Sequence, residues 1–412
     1  MNDVTVSDLP LGKTPLAART GSALVDQFSL IEGGPVYHFQ KAVGLAFPDR
    51  RGVTKRALLV ALITWFPLLV LSLIQNRAYG HEVTIPFLYD LAAGLRFLVG
   101  LPLLVIAEAV IDPRLNRAAR HFVESNLVPP SLLPQFEDVI QKTNRLRDHL
   151  VPLIPILLVA FLPSIWYRQT ELLKAGISTW RTVISPSGES LSLAGWWVGF
   201  ISLPLFRVLF YRWIWITFLW ASFLRRVSKL DLACVGTHPD TCGGLGFLAE
   251  TQLMFGFISF AISAVMAGVF GNLIAYEGAT VSSLKFLMIG FCVITILIFA
   301  IPLLVVTPRL MLTKRKSLHR YGALGNLYVQ EFDAKWIRGI LPEQEPLLGT
   351  GDIQSLADLY NSFSVVREMK VVLIDRRVLI GLALPAVFPL VPLIVIATPA
   401  DQIVKAVMKL LL

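Results

Sequence analysis

Four ionisable residues sit inside otherwise apolar stretches of the chain: Arg96, Glu108, Arg207 and Arg212. A charge at membrane depth is expensive to hold, so one that is kept there pairs with another group, lines water, or takes part in moving a solute or a proton. A second set of reactive types falls in one polar loop, Thr237-His238-Pro239-Asp240-Thr241-Cys242-Gly243-Gly244-Leu245-Gly246-Phe247-Leu248. There His238, Asp240 and Cys242 alternate, so an extended backbone would project them to one side, and each is a metal-ligand type. A usable site would need a further ligand, for which Glu250 is nearest in sequence. Gly243, Gly244 and Gly246 precede a helix start, where anions bind well, but no predicted strand leads into them and the GxxxxGK[ST] spacing is absent. The structural account is the stronger one. Asp240 and Pro239 set a turn, the glycines permit positive φ, and His238 is expected to hydrogen-bond across the ends of neighbouring helices. No metal and no cofactor is expected.

These residues must be positioned by membrane-spanning helices. With 55% hydrophobic residues and a mean hydropathy of +0.66, the composition excludes a soluble fold. Seven apolar runs cover 57–75, 91–111, 150–167, 194–224, 253–276, 284–306 and 378–399. Six match the roughly 20 helical residues that cross a hydrocarbon core of about 30 Å, while 194–224, with 31, must tilt or project beyond it, and backbone groups in lipid must be paired within their own segment. The predicted fold is an all-α polytopic transmembrane helix bundle. The last run is the weakest because Pro385, Pro389 and Pro392 interrupt it, so six crossings with a re-entrant or interfacial end is the alternative.

Of the 37 Lys and Arg residues, 27 fall on one side of this topology, 6 on the other and four within spans. The positive-inside rule then places the N-terminus in the cytoplasm. That asymmetry explains the net charge of +9 as topology, and no nucleic-acid partner is implied. Residues 1–56 hold no apolar h-region, so the first span is expected to act as its own uncleaved insertion signal. The three cysteines, Cys234, Cys242 and Cys292, fall in a cytoplasmic loop or in the sixth span, predicting reduced thiols.

The chain divides into a cytoplasmic segment 1–56, spans one to six over 57–306 with a cytoplasmic hairpin at 112–149, a cytoplasmic helical segment 307–377, and a last span with an amphipathic tail over 378–412. After the second span, Asp112-Pro113 reads as a helix N-cap with proline at N1. Asp352 would cap a helix carrying Ile353, Leu356, Tyr360, Phe363 and Val366. Such helices would pack as a small cap beneath the bilayer or lie on its anionic leaflet.

The run from Arg225 through Leu248 resembles a segment of uncharacterised multi-pass inner-membrane proteins of bacteria, most specifically in its THPD and GGLGFL parts. The resemblance covers about 25 residues and implies a helical fold in a bacterial inner membrane, with no activity attached.

Helical geometry constrains the intramembrane charges further. Arg96 lies about 7.5 Å past Leu91 and can snorkel outward, while Glu108, turned some 120° from it, needs a neighbouring helix or the interface. Arg207 and Arg212 point about 140° apart, so at least one needs a partner, water or a snorkelling route. Tyr211, Trp213, Trp215 and Trp220 around them would form an aromatic belt or support an arginine by cation–π contact. Gly195 and Gly199 allow close helix packing within the monomer or against a second copy. The leading expectation is a channel or transporter for a small solute, anionic if the arginines line its path. The alternatives are a membrane scaffold that binds a cytoplasmic protein, and an embedded metal enzyme that would need His238, Asp240, His319 and Glu108 to converge. No HExxH or GxSxG spacing is present, which weighs against an enzyme.

Overall fold

The computed structural model describes residues 23–42, 50–172, 178–185, 188–339 and 351–397. Seven helices are long and apolar enough to cross a membrane: Gly52–Ile74, Leu91–Glu124, Pro130–Tyr167, Leu193–Val227, Phe247–Tyr276, Val281–Leu304 and Arg376–Val395, numbered here as spans 1 to 7. The proline-interrupted last run is therefore helical and long enough to span, with Pro385 inside its first helix, Pro389 in a 3-10 turn at Phe388–Leu390 and Pro392 at the start of the helix that follows. The amphipathic tail beyond it lies outside the described residues. Spans 2, 3 and 4 are longer than a bilayer requires, 34, 38 and 35 residues, so each carries an extension past one end.

Span 5 is the centre of the bundle, with 61% of its apolar window buried, and span 3 is peripheral at 17%. The difference follows from side-chain size. Span 5 carries Gly256, Ala261, Ser263, Ala264, Ala267, Gly268 and Gly271 on buried positions, and small residues let backbones approach where lipid supplies no hydrophobic drive for association. A Cβ at Gly268 would meet the Leu91 carbonyl oxygen at 2.6 Å, and one at Gly256 the Gly381 carbonyl oxygen at 3.0 Å. Ser263 donates to the Ala386 carbonyl of span 7.

The two ends differ in chemistry. One end, called the basic end here, holds the N-terminal segment, the extensions of spans 2 to 4, the loop 228–246 and the 307–377 segment; the opposite end holds short connections. The fold is the all-α bundle that the sequence predicted, and at that opposite end it carries a short β-hairpin, Thr182–Ser185 with Gly188–Leu191, that the sequence reading did not include. It was missed because it is short and sits in a polar connection between spans.

Two capping expectations are corrected. Span 2 continues through Pro113 without a new helix start, and Asp112 instead accepts hydrogen bonds from Ser29 Oγ (2.7 Å) and the Leu30 amide (3.2 Å). The helix Asp352–Glu368 starts at Asp352, but its carboxylate accepts from Lys335 Nζ and Trp336 Nε1 rather than from its own first turn. In both cases a partner distant in sequence offers a stronger donor than the local backbone.

Candidate functional site

Spans 2 and 4 each contain an irregular turn, and the cause is visible in their sequences. Pro102 and Pro204 have no amide, and each ring would collide with the carbonyl four residues earlier in a regular helix. Each helix relieves this with a π-turn just before the proline, Leu95–Gly100 and Val198–Ser202, closed by bonds from Leu101 N to Arg96 O and from Leu203 N to Val198 O. Such turns recur at functional sites because they displace side chains from the regular helical face. Arg96 sits inside the first, and Arg207 follows Pro204 by one turn.

The guanidinium of Arg96 lies 5.8 Å from the ring centroid of Phe206 and within Coulombic range of Arg207, Arg181 and Asp90. Arg207 donates to the Ala160 carbonyl (3.1 Å) and Ser164 Oγ (3.4 Å) of span 3. Among the described residues, no carboxylate hydrogen-bonds to either arginine. The carboxylate within Coulombic range of Arg96 is Asp90, and it is already engaged by Arg181 at 2.6 Å. The region between spans 2, 3 and 4 is thus electropositive at membrane depth.

Arg212 is elsewhere. It and Arg56 of span 1 both pair with Glu108 of span 2, and all three are at most 7% exposed. This Arg–Glu–Arg cluster ties three spans together near the basic end. Of the alternatives open to Glu108, pairing with neighbouring helices is the one the structure shows, while Arg212 is committed to Glu108 and the Ile31 carbonyl (3.4 Å) and also lines a small pocket with Gly33, Arg147 and Trp215. Over the cluster lies the segment from Val25 to Glu32. Phe28 packs on Phe223 with ring centroids 4.7 Å apart, Asn116 donates to the carbonyls of Asp26 and Phe28, and Arg147 donates to those of Ser29 and Glu32. Trp213 and Trp220 are fully buried and donate to the Leu104 carbonyl and Gln252, so they anchor the core and do not form an interfacial belt. Arg56 gave no signal in the sequence, since a basic residue beside a span reads as a topology determinant.

The opposite end holds a polar knot that sequence reading also missed. Asp90, 3% exposed, accepts from the Ala93 amide, Trp180 Nε1 (2.9 Å), Arg181 (2.6 Å) and Asn272 Nδ2 (2.8 Å). Burial alone would raise its pKa, but the Arg181 charge and these donors prevail and hold it at about 2. A depressed carboxyl stabilises the fold above its unfolded pKa and loses that contribution as pH falls toward the folded value. The shift corresponds to about 2 kcal/mol, present above about pH 4 and lost toward pH 2. Trp180 emission in the detergent-solubilised chain is expected to report this loosening between those limits, and Asp90→Asn is expected to flatten that part of the titration; an unchanged profile would remove Asp90 as its cause.

The His238 loop is a closed local structure. Asp240 accepts from the amides of Cys242 (2.7 Å), Gly244 (3.1 Å) and Gly246 (2.8 Å) and faces His238 Nδ1 at 2.8 Å. Burial opposes its ionisation, but the three amides and His238 outweigh it and leave its pKa below the ordinary value. Gly243 and Gly244 have φ of +65° and +92°, the left-handed region that a side chain resists. His238 bonds within the loop rather than across the helix ends, because Asp240 two residues on reaches it first. Glu250 is turned to Arg377, and among the described residues no three His, Cys, Asp or Glu side chains gather as a metal site. Gly195 and Gly199 serve packing within the monomer, against the Arg181 carbonyl and the Tyr167 ring.

Fold and site together define an integral membrane protein built as a seven-span helical bundle. The chain matches no family model, no curated protein and no solved structure.

Proposed function

We propose that the protein carries a small anionic solute across a bacterial inner membrane, with Arg96 and Arg207 as the solute-binding residues and the basic end in the cytoplasm. The observation that carries this reading is the pair of guanidinium groups at membrane depth with no carboxylate bonded to them among the described residues. Arg96 lies within the π-turn of span 2 and Arg207 a few residues beyond that of span 4, and such turns recur at functional sites. The Lys and Arg asymmetry and the THPD and GGLGFL resemblance support the orientation and the location.

The full chain, purified and reconstituted into liposomes, is expected to take up at least one of chloride, nitrate, sulfate or phosphate at ten or more times the protein-free rate. A panel in which every anion stays at the leak rate, in vesicles containing folded protein, would end the proposal.

A further inference from the structure

We infer that the hairpin made by the helices Thr307–Phe332 and Asp352–Glu368 is a docking groove for an amphipathic helix of a partner protein, acidic at the end nearer the membrane. This stands apart from solute transport. The base of the hairpin is fixed: Arg309 bonds Asp231 (2.8 Å), Lys314 Nζ bonds the Met369 carbonyl (2.8 Å) and Val366 is fully buried. Beyond that base the two helices pack chiefly on each other and stand clear of the bundle.

Between them runs a groove of about 370 Å³, lined by Tyr321, Gly325, Val329, Leu356, Tyr360 and Phe363 among others, with no charged residue in its lining. Glycine opens it, since a Cβ at Gly325 would meet nothing within 4 Å. Leu356, Tyr360 and Phe363 recur at the spacing by which a helical groove reads the i, i+3, i+4 and i+7 anchors of a bound helix. The membrane-proximal end is different. At about 100° per residue, Arg315 and His319 continue the face of Gly322 and Asn326, and Arg367 continues that of Tyr360 and Phe363. All three are exposed, and the neighbouring Glu368 is turned about 100° away from Arg367. A second copy would present the same basic rim, and like charges facing each other are repelled. An apolar helix face with an acidic end satisfies both parts of the groove.

The test uses the full chain in nanodiscs and two synthetic helical peptides with the same leucine face, one ending in glutamates and one in lysines. The glutamate peptide is expected to bind at least tenfold more tightly than its lysine counterpart. Arg315→Glu with Arg367→Glu should invert that order, and Gly325→Leu, which fills the groove without a clash, should weaken the glutamate peptide tenfold or more at unchanged helical content. Equal binding of the two peptides, no binding of either, or indifference to Gly325→Leu would overturn the inference. So would a wild-type dimer that Gly325→Leu makes monomeric, since the occupant would then be a second copy.

Discussion

Glu108→Ala is expected to be the most damaging single substitution in the protein, costing roughly 3–5 kcal/mol by leaving buried charge without its partner. Two guanidinium groups, Arg56 and Arg212, converge on this one carboxylate in a region at most 7% exposed. Removing it leaves like charges facing each other where little water can enter. Arg212→Ala should cost less, because Glu108 keeps Arg56, and the loss should show as reduced stability. A further variant isolates the electrostatic part: Arg56→Met, Glu108→Leu and Arg212→Met combined should recover most of the lost stability, since replacing a whole buried ionic cluster by apolar groups is often neutral or favourable. Thermal or denaturant unfolding in detergent reads all of these. A Glu108→Ala chain as stable as wild type would show that the cluster is not what holds spans 1, 2 and 4 together.

The second large effect concerns transport. Arg96→Ala or Arg207→Ala alone should lower anion uptake at least tenfold, and the two together should bring it to the protein-free rate. The magnitude follows from the dielectric. A unit charge about 4 Å from an anion contributes about 4 kcal/mol at an effective dielectric constant of 20, which is the scale of several hundredfold in affinity and exceeds any exposed pair. Lysine at either position keeps the charge but not the planar fork, so it should retain part of the flux. Folding should survive, since neither arginine is bonded to a buried carboxylate among the described residues. The contrast with Arg212 is the diagnostic: its loss should act through stability. Unchanged uptake in the Arg96 and Arg207 double variant, with the wild type active, would move the solute site elsewhere in the bundle.

Pairing is where the sequence reading had least purchase. The five-residue step from Arg207 to Arg212 shows that the two face different neighbours, and they do: one meets span 3, the other Glu108 and the segment before span 1. Which neighbours they meet depends on helix packing, because Glu108 is 104 residues from Arg212 and 52 from Arg56. The same holds for Asp90, whose partners Trp180, Arg181 and Asn272 come from distant connections and another span. The His238 loop was legible as a turn, because the amides that donate to Asp240 lie two, four and six residues after it and the glycines are in the sequence.

The sequence by itself determined the class and the first six spans, because bilayer thickness and backbone pairing act on one segment at a time and leave a mark in every twenty-residue window; the proline-rich seventh is decided only by its helix in the structure. The tertiary structure alone decided which intramembrane charges meet a carboxylate. Coulombic and hydrogen-bond energies fall within a few ångströms, and only the packing of spans 1, 2, 3 and 4 brings Arg56 to Glu108 while leaving Arg96 and Arg207 without a carboxylate bond among the described residues.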